Sequence, residues 1–176
     1  DYTTRTVALW IKPIAGSITG ANKIVFDFGG ADNGLALRFN SGSLQAGIAS
    51  NNIRATAIAN SIATNPNWVA GGLKHVSVVY NSNVLKLFVN GVELASTNLT
   101  FSSVASTTNS SRIGATNSSN AFNSSTSSTN VGGLFDDVVV ITEPLAAQGL
   151  QSLMTQNYGA DTTFSLPAVP NAPVII

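Results

Sequence analysis

The sequence predicts an all-β fold, an antiparallel two-sheet sandwich with one short helix near its C-terminus. Three observations carry that expectation. Apolar residues recur with a period of two through most of the chain, the mark of half-buried strands. Pairs such as Asn33-Gly34, Ser41-Gly42 and Asn90-Gly91 punctuate those runs with residues that accept turn geometry. The chain has 176 residues, 44% of them hydrophobic, which suits one buried core rather than two.

The elements follow in order. Over residues 6–12, Val7, Leu9 and Ile11 fall on one face while Ala8 and Trp10 fall on the other. Both faces are apolar, so this strand is expected inside a sheet. Strands are next expected over residues 23–28 (KIVFDF), 35–39 (LALRF) and 44–50 (LQAGIAS). The strongest pattern spans residues 74–96, where three antiparallel strands are separated by Asn81-Ser82-Asn83 and by Asn90-Gly91. Residues 102–130 are rich in Ser, Thr and Asn and read as long surface loops around a short strand near Ile113. An apolar strand returns over residues 134–141 (LFDDVVVI). Leu145, Leu150, Leu153 and Met154 then carry helical spacing over residues 145–156. Residues 161–176, with prolines at 167, 170 and 173, read as an extended tail, a linker or an edge strand beyond a domain of residues 1–160.

Charge is sparse. Eight basic and eight acidic side chains make up 9% of the chain and cancel. Nucleic-acid binding calls for a basic stripe, whereas Arg5, Lys12, Lys23, Arg38, Arg54, Lys74, Lys86 and Arg112 are scattered singly. No nucleic-acid partner is expected. Nor is a membrane span, since no apolar run approaches roughly 18 residues. There is no cysteine, hence no disulfide framework or thiolate metal site. The neutral surface of hydroxyls and amides fits an extracellular protein, or one on a cell or virion surface. The start at Asp1 reads as a processed product or an excerpt from a longer chain.

The order of these features resembles laminin-G-like domains of the concanavalin A-like jelly-roll kind. TVALWIKP is similar to their early Trp strand. NWVAGGLKHVSVVYNSNVLKLFVNGVELAS resembles their central Trp, His-Val strand, hairpin and Asn-Gly turn. SRIGA resembles their later short strand, and GGLFDDVVVITEPLAAQGLQSLM their closing Asp-Asp strand and helix. The resemblance covers about residues 6–156 and implies a jelly-roll β-sandwich. The family opens with a strand placed beside the closing one, and here only Asp1-Tyr2 remains of it. The strand through Val138, Val139 and Val140 is therefore expected to lack a neighbour, to be filled by the C-terminal tail or by another chain.

Glycoside hydrolysis needs two carboxyl groups across a cleft, and hydrolases of this fold often carry them as E-x-D-x-E. Asp27, Asp32, Glu93, Asp136, Asp137, Glu143 and Asp161 form no such pattern, so no enzyme is expected. His75, the single histidine, reads as a satisfied strand residue. Trp10 and Trp68 match core positions of the family and are expected to be buried rather than to serve as sugar platforms. Calcium is the cofactor to consider, because it takes oxygen ligands. The resemblance places Asp136 where related domains hold a calcium, and Asp32 with Asn33 forms a second oxygen-rich candidate. Sequons at Asn98, Asn109, Asn117 and Asn123 are expected by chance in so Asn- and Ser-rich a chain.

Two roles remain open. One is a carbohydrate-binding or adhesion module of a larger surface protein, with a glycan or cell-surface polysaccharide as partner. The other is a structural subunit of an extracellular assembly that self-associates through its open sheet edge.

Overall fold

Strand β1 (Thr4–Pro13) runs through the interior of a five-stranded sheet, as its two apolar faces require. In the computed structural model, which describes residues 1–68, 72–115, 119–122 and 129–155, this sheet has the order β11-β1-β6-β7-β8. Its other members are β6 (Lys74–Asn81), β7 (Val84–Val89), β8 (Val92–Asn98) and β11 (Gly133–Ile141), all antiparallel to their neighbours. The second sheet runs β10-β2-β3-β4-β5, with β9 also paired to β2. It comprises β2 (Lys23–Gly29), β3 (Gly34–Asn40), β4 (Ser43–Ser50), β5 (Ile53–Ala59), β9 (Ser111–Ile113) and β10 (Thr129–Asn130). The two-residue contact between β10 and β2 is parallel, a small exception in an otherwise antiparallel sandwich.

Three hairpins use two-residue links whose central residues both have positive φ: Ser41-Gly42 (50°, 85°), Asn51-Asn52 (48°, 67°) and Asn90-Gly91 (50°, 75°). That twist matches the right-handed twist of the strands on either side. Asn90 adds side-chain support. Its Oδ1 accepts the His75 N–H at 3.1 Å, and its amide donates to the Asn67 carbonyl at 3.0 Å.

The core lies between the sheets. Val7, Leu9 and Ile11 of β1, Val76, Val78 and Tyr80 of β6, and Leu85, Leu87 and Val89 of β7 face Phe26, Leu35, Leu37, Phe39, Leu44 and Ile48 of the other sheet. Trp68 is buried among them, edge-on to Phe39 at 5.4 Å between ring centroids. A smaller apolar layer covers the outer face of the five-stranded sheet. There, helix α2 (Ala147–Thr155) sets Leu150 and Leu153 on Ala8, Val79 and Phe88.

Several expectations need correction. Trp10 is not a core residue. Its strand neighbours Leu9 and Ile11 take the inner face, so Trp10 stands on the outer face, half-buried and edge-on to His75 at 5.3 Å. A further strand, β5, follows the Asn51-Asn52 turn. A second short helix, α1 (Ala15–Thr19), sits between β1 and β2, pinned by Ser17, whose Oγ accepts the Gly132 N–H at 2.9 Å. The closing strand β11 does have one neighbour, β1. Its other side carries no strand among the described residues, and Tyr2 bridges to Val104 instead. The tail at 161–176 lies outside the described residues.

Candidate functional site

One end of the sandwich gathers the polar loops. The β2–β3 loop carries Asp32 and Asn33. Beside it run the Asn51-Asn52 turn and the segment that follows Val104. Each is tied down by backbone hydrogen bonds: Gly30 N–H to the Asn33 carbonyl (2.9 Å), Asn52 N–H to the Asp32 carbonyl (3.1 Å), and a two-way bridge between Tyr2 and Val104 (3.0 and 2.9 Å).

Side chains complete the frame. Asn33 works in both directions, its Oδ1 accepting the Asn51 N–H at 2.7 Å and its amide donating to the Ser106 carbonyl at 3.4 Å. The Asp1 carboxylate accepts the Ser106 N–H at 2.7 Å, and Ser50 Oγ accepts the Ala105 N–H at 3.2 Å. Loops of short polar residues hold position this way, because Asn, Ser and Asp side chains substitute for missing backbone partners. The Asn109 amide rests directly on Gly30, where a Cβ would lie 2.1 Å from its nitrogen. Glycine at position 30 thus makes room for Asn109.

Between these loops opens a cleft of about 320 Å³, lined by Asp32, Asn33, Ser106, Thr107, Thr108 and Asn109. Its lining offers one carboxylate, two amides and three hydroxyls. Arg54 stands 3.8 Å from the Asp32 carboxylate. Such a set donates and accepts hydrogen bonds in many directions without net charge, which suits a hydroxyl-rich ligand. A second cavity, about 370 Å³ and lined by Lys12, Pro13, Ile14, Gly133 and Leu134, is mainly apolar and lies where β1 ends and β11 begins.

The sequence-predicted ligands do not converge. Asp32 and Asn33 share the polar cleft, whereas Asp136 sits on β11 opposite Trp10, in the other sheet. Among the described residues no three His, Cys, Asp or Glu side chains come together. Calcium takes six to eight oxygens; the Asp32 carboxylate faces the Arg54 guanidinium at 3.8 Å, and Asp136 stands beside the Asp137 carboxylate. The two candidate places thus lie apart in the fold. The Asp136-Asp137 pair marks an irregularity instead: Asp137 has φ of 44°, the β1–β11 register shifts there, and its N–H donates to Asp136 Oδ1 at 2.9 Å. Burial and the neighbouring Asp136 charge push the Asp137 carboxyl upward.

His75 behaves as a structural residue. It is buried, with Nδ1 at 3.3 Å from Ser77 Oγ, and burial lowers its pKa to about 4. Sequence reasoning missed Ser106, Thr107, Thr108 and Asn109 as cleft residues. Their polar run was visible, but nothing in it shows that Asp1, Ser50 and Asn33 fasten it over the β2–β3 loop.

Solved structures share this architecture. The receptor-binding domain of botulinum neurotoxin mosaic serotype C/D matches with a TM-score of 0.62 and 13% identity, over 86% of this chain and 36% of that one. The binding domain of botulinum neurotoxin DC in complex with SialylT gives 0.62 and 13%, over 86% and 35%. The serotype D ligand-binding domain in complex with N-acetylneuraminic acid gives 0.62 and 12%, over 87% and 36%. The chain spans about a third of the length of these proteins, and at such identity the likeness shows the fold. No curated protein matches it. The family model for the concanavalin A-like lectin/glucanases superfamily matches residues 2–151, from the first strand into α2, and the chain belongs to that superfamily.

Proposed function

We propose that the protein is a non-catalytic, glycan-binding module of an extracellular or surface protein, and that it takes its ligand in the cleft between Asp32-Asn33 and Ser106–Asn109. The observation that carries this reading is the lining itself, dense in hydroxyls and amides with its one carboxylate faced by Arg54, at the loop end of a lectin-like sandwich. Membership alone does not choose between lectin and glucanase, since one fold hosts both. The cleft supports the lectin reading: its lining contains one carboxylate, whereas glycoside hydrolysis uses two placed across the sugar. The structures bound to SialylT and N-acetylneuraminic acid add support at the level of ligand class, although those chains are nearly three times as long as the part matched.

The test is a broad glycan array followed by calorimetry on hits. Asp32→Ala and Asn109→Ala are expected to weaken binding tenfold or more. Their folding should be nearly unchanged, because Asp32 is exposed and its ion pair contributes little. Silence across the array, or hits that both variants retain in full, would remove the cleft as the site. The rival reading, a subunit of an extracellular assembly, draws on a different feature, the side of β11 that carries no strand among the described residues.

A further inference from the structure

Among the described residues, Asp32 is the one charged side chain that lines the polar cleft. Its backbone is pinned, since the Asn52 N–H donates to its carbonyl at 3.1 Å. Its side chain is 65% exposed, against 30% for the neighbouring Arg54. At 3.8 Å the guanidinium faces the carboxylate without hydrogen-bonding it. Arg54 is held elsewhere, its Nη1 donating to the Asn52 carbonyl at 3.3 Å, and it does not line the cleft.

The other lining groups differ in kind. Asn33 has both ends of its amide engaged, on the Asn51 N–H and the Ser106 carbonyl. Thr107 Oγ1 accepts the Asn109 N–H at 3.1 Å and keeps its proton to donate. Ser106 and Thr108 bring hydroxyls that donate or accept. A ligand therefore meets one exposed, acceptor-only group among groups of either sense. Composition limits what else can stand beside it. All eight basic side chains lie among the described residues, and none lines the cleft. The remaining segments contain no lysine, arginine or histidine, so they hold no cation for an anionic ligand.

We propose that Asp32 makes this cleft selective for uncharged sugars with two adjacent free hydroxyls, and that it turns away sugars carrying a carboxylate or sulfate. The inference rests on the reading of the cleft as a glycan site and specifies the class that site takes. A carboxylate accepts on both oxygens, and neighbouring ring hydroxyls supply the two protons. Exclusion works through the same atoms, because like charges brought together in a binding site repel. N-acetylneuraminic acid, bound by the serotype D domain, carries a carboxylate and falls on the excluded side.

Matched pairs on a glycan array, followed by calorimetry, test this. Each neutral glycan is set beside its sialylated or sulfated form, and each hexose beside its uronic acid. Wild type is expected to prefer the neutral member by about tenfold or more. Asp32→Asn keeps the shape and one acceptor but loses the charge, so the preference should shrink to about threefold or less. Arg54→Gln should widen it, because that guanidinium no longer opposes the carboxylate. Raising ionic strength from about 0.01 to 1 M shortens the screening length from about 30 to 3 Å. That should narrow the wild-type preference and leave Asp32→Asn unmoved. The melting temperature checks that each variant keeps its fold. Equal or tighter binding of the acidic members overturns the selectivity while leaving the glycan site in place. A preference that Asp32→Asn retains in full does the same. Silence across the whole array removes the glycan reading itself, and the selectivity with it.

Discussion

Replacing Thr6 by valine removes one hydroxyl from the junction between β1 and the crossing to α2 while keeping the side chain's shape. Thr6 is fully buried. Its Oγ donates to the Glu143 carbonyl at 2.7 Å and accepts the Leu145 N–H at 2.9 Å, so one side chain grips the chain on both sides of Pro144. Valine leaves both backbone groups without that partner. A buried group so orphaned costs about 1–3 kcal/mol. Glu143 is exposed and its carbonyl can turn to water, whereas Leu145 is half-buried. The lower part of the range therefore applies, and we expect a loss of about 2 kcal/mol. For a domain of this size that lowers Tm by about 4–8 °C. Thr6→Ser is the control: it keeps the hydroxyl and loses one methyl, about 0.8 kcal/mol. Urea and thermal unfolding should rank wild type above the serine variant, and serine above valine. A valine variant as stable as wild type, or more stable than serine, would refute the claim that these two bonds hold α2 in place.

Other outcomes can be stated briefly. His75 titrates near 6.5 when unfolded and about 4 when folded, so above pH 6.5 it adds no pH dependence. As pH falls from 6.5 to 4 only the unfolded state takes up the proton, and stability should drop by up to roughly 3 kcal/mol. His75→Gln should flatten that part of the wild-type curve, and identical slopes in the two proteins would contradict it. Gly30→Ala drives a methyl into the Asn109 amide, the mobile end of a side chain. It should weaken glycan binding severalfold at a cost of less than ~1 kcal/mol in urea unfolding. Chelation by EDTA should shift Tm by less than about 1 °C, since no three acidic or histidine side chains come together among the described residues. A fall of several degrees would instead reveal a bound calcium, with Asp32, Asn33 and Asp136 its candidate ligands.

The strands with strong contrast between faces were legible from the residues alone. KHVSVVY and VLKLFV alternate clearly, and Asn90-Gly91 has one natural conformation, so β6, β7 and their turn to β8 emerged as expected. Strand β5 did not, because IRATAIA alternates between small residues with little hydrophobic contrast, and Asn51-Asn52 is a weaker turn signal than Asn-Gly. Trp10 is the instructive error. Its parity with Ala8 places it opposite Val7, Leu9 and Ile11, so the alternation of the strand, not the family position, sets its face. The cleft was half legible. Asp32 and Asn33 stood out as oxygen-rich, but its other wall depends on hydrogen bonds between residues as distant as Asp1 and Ser106, which no local pattern encodes.

The central place of β1 bears on how the protein is made. Thr6 pairs with Val79 on one side and Ile141 on the other, so the first strand of the sandwich receives its last neighbour only once β11 has been made. At roughly 5–20 residues per second that wait is on the order of ten seconds. The β2–β3–β4–β5 meander, joined by tight turns, can form meanwhile from contacts between adjacent segments. Half of the sandwich is thus assembled locally and early, while a strand with two apolar faces stays unfinished beside it. A nascent chain halted before Gly133 presents that side of β1 to whatever meets it, and shielding by a chaperone matters most in this interval.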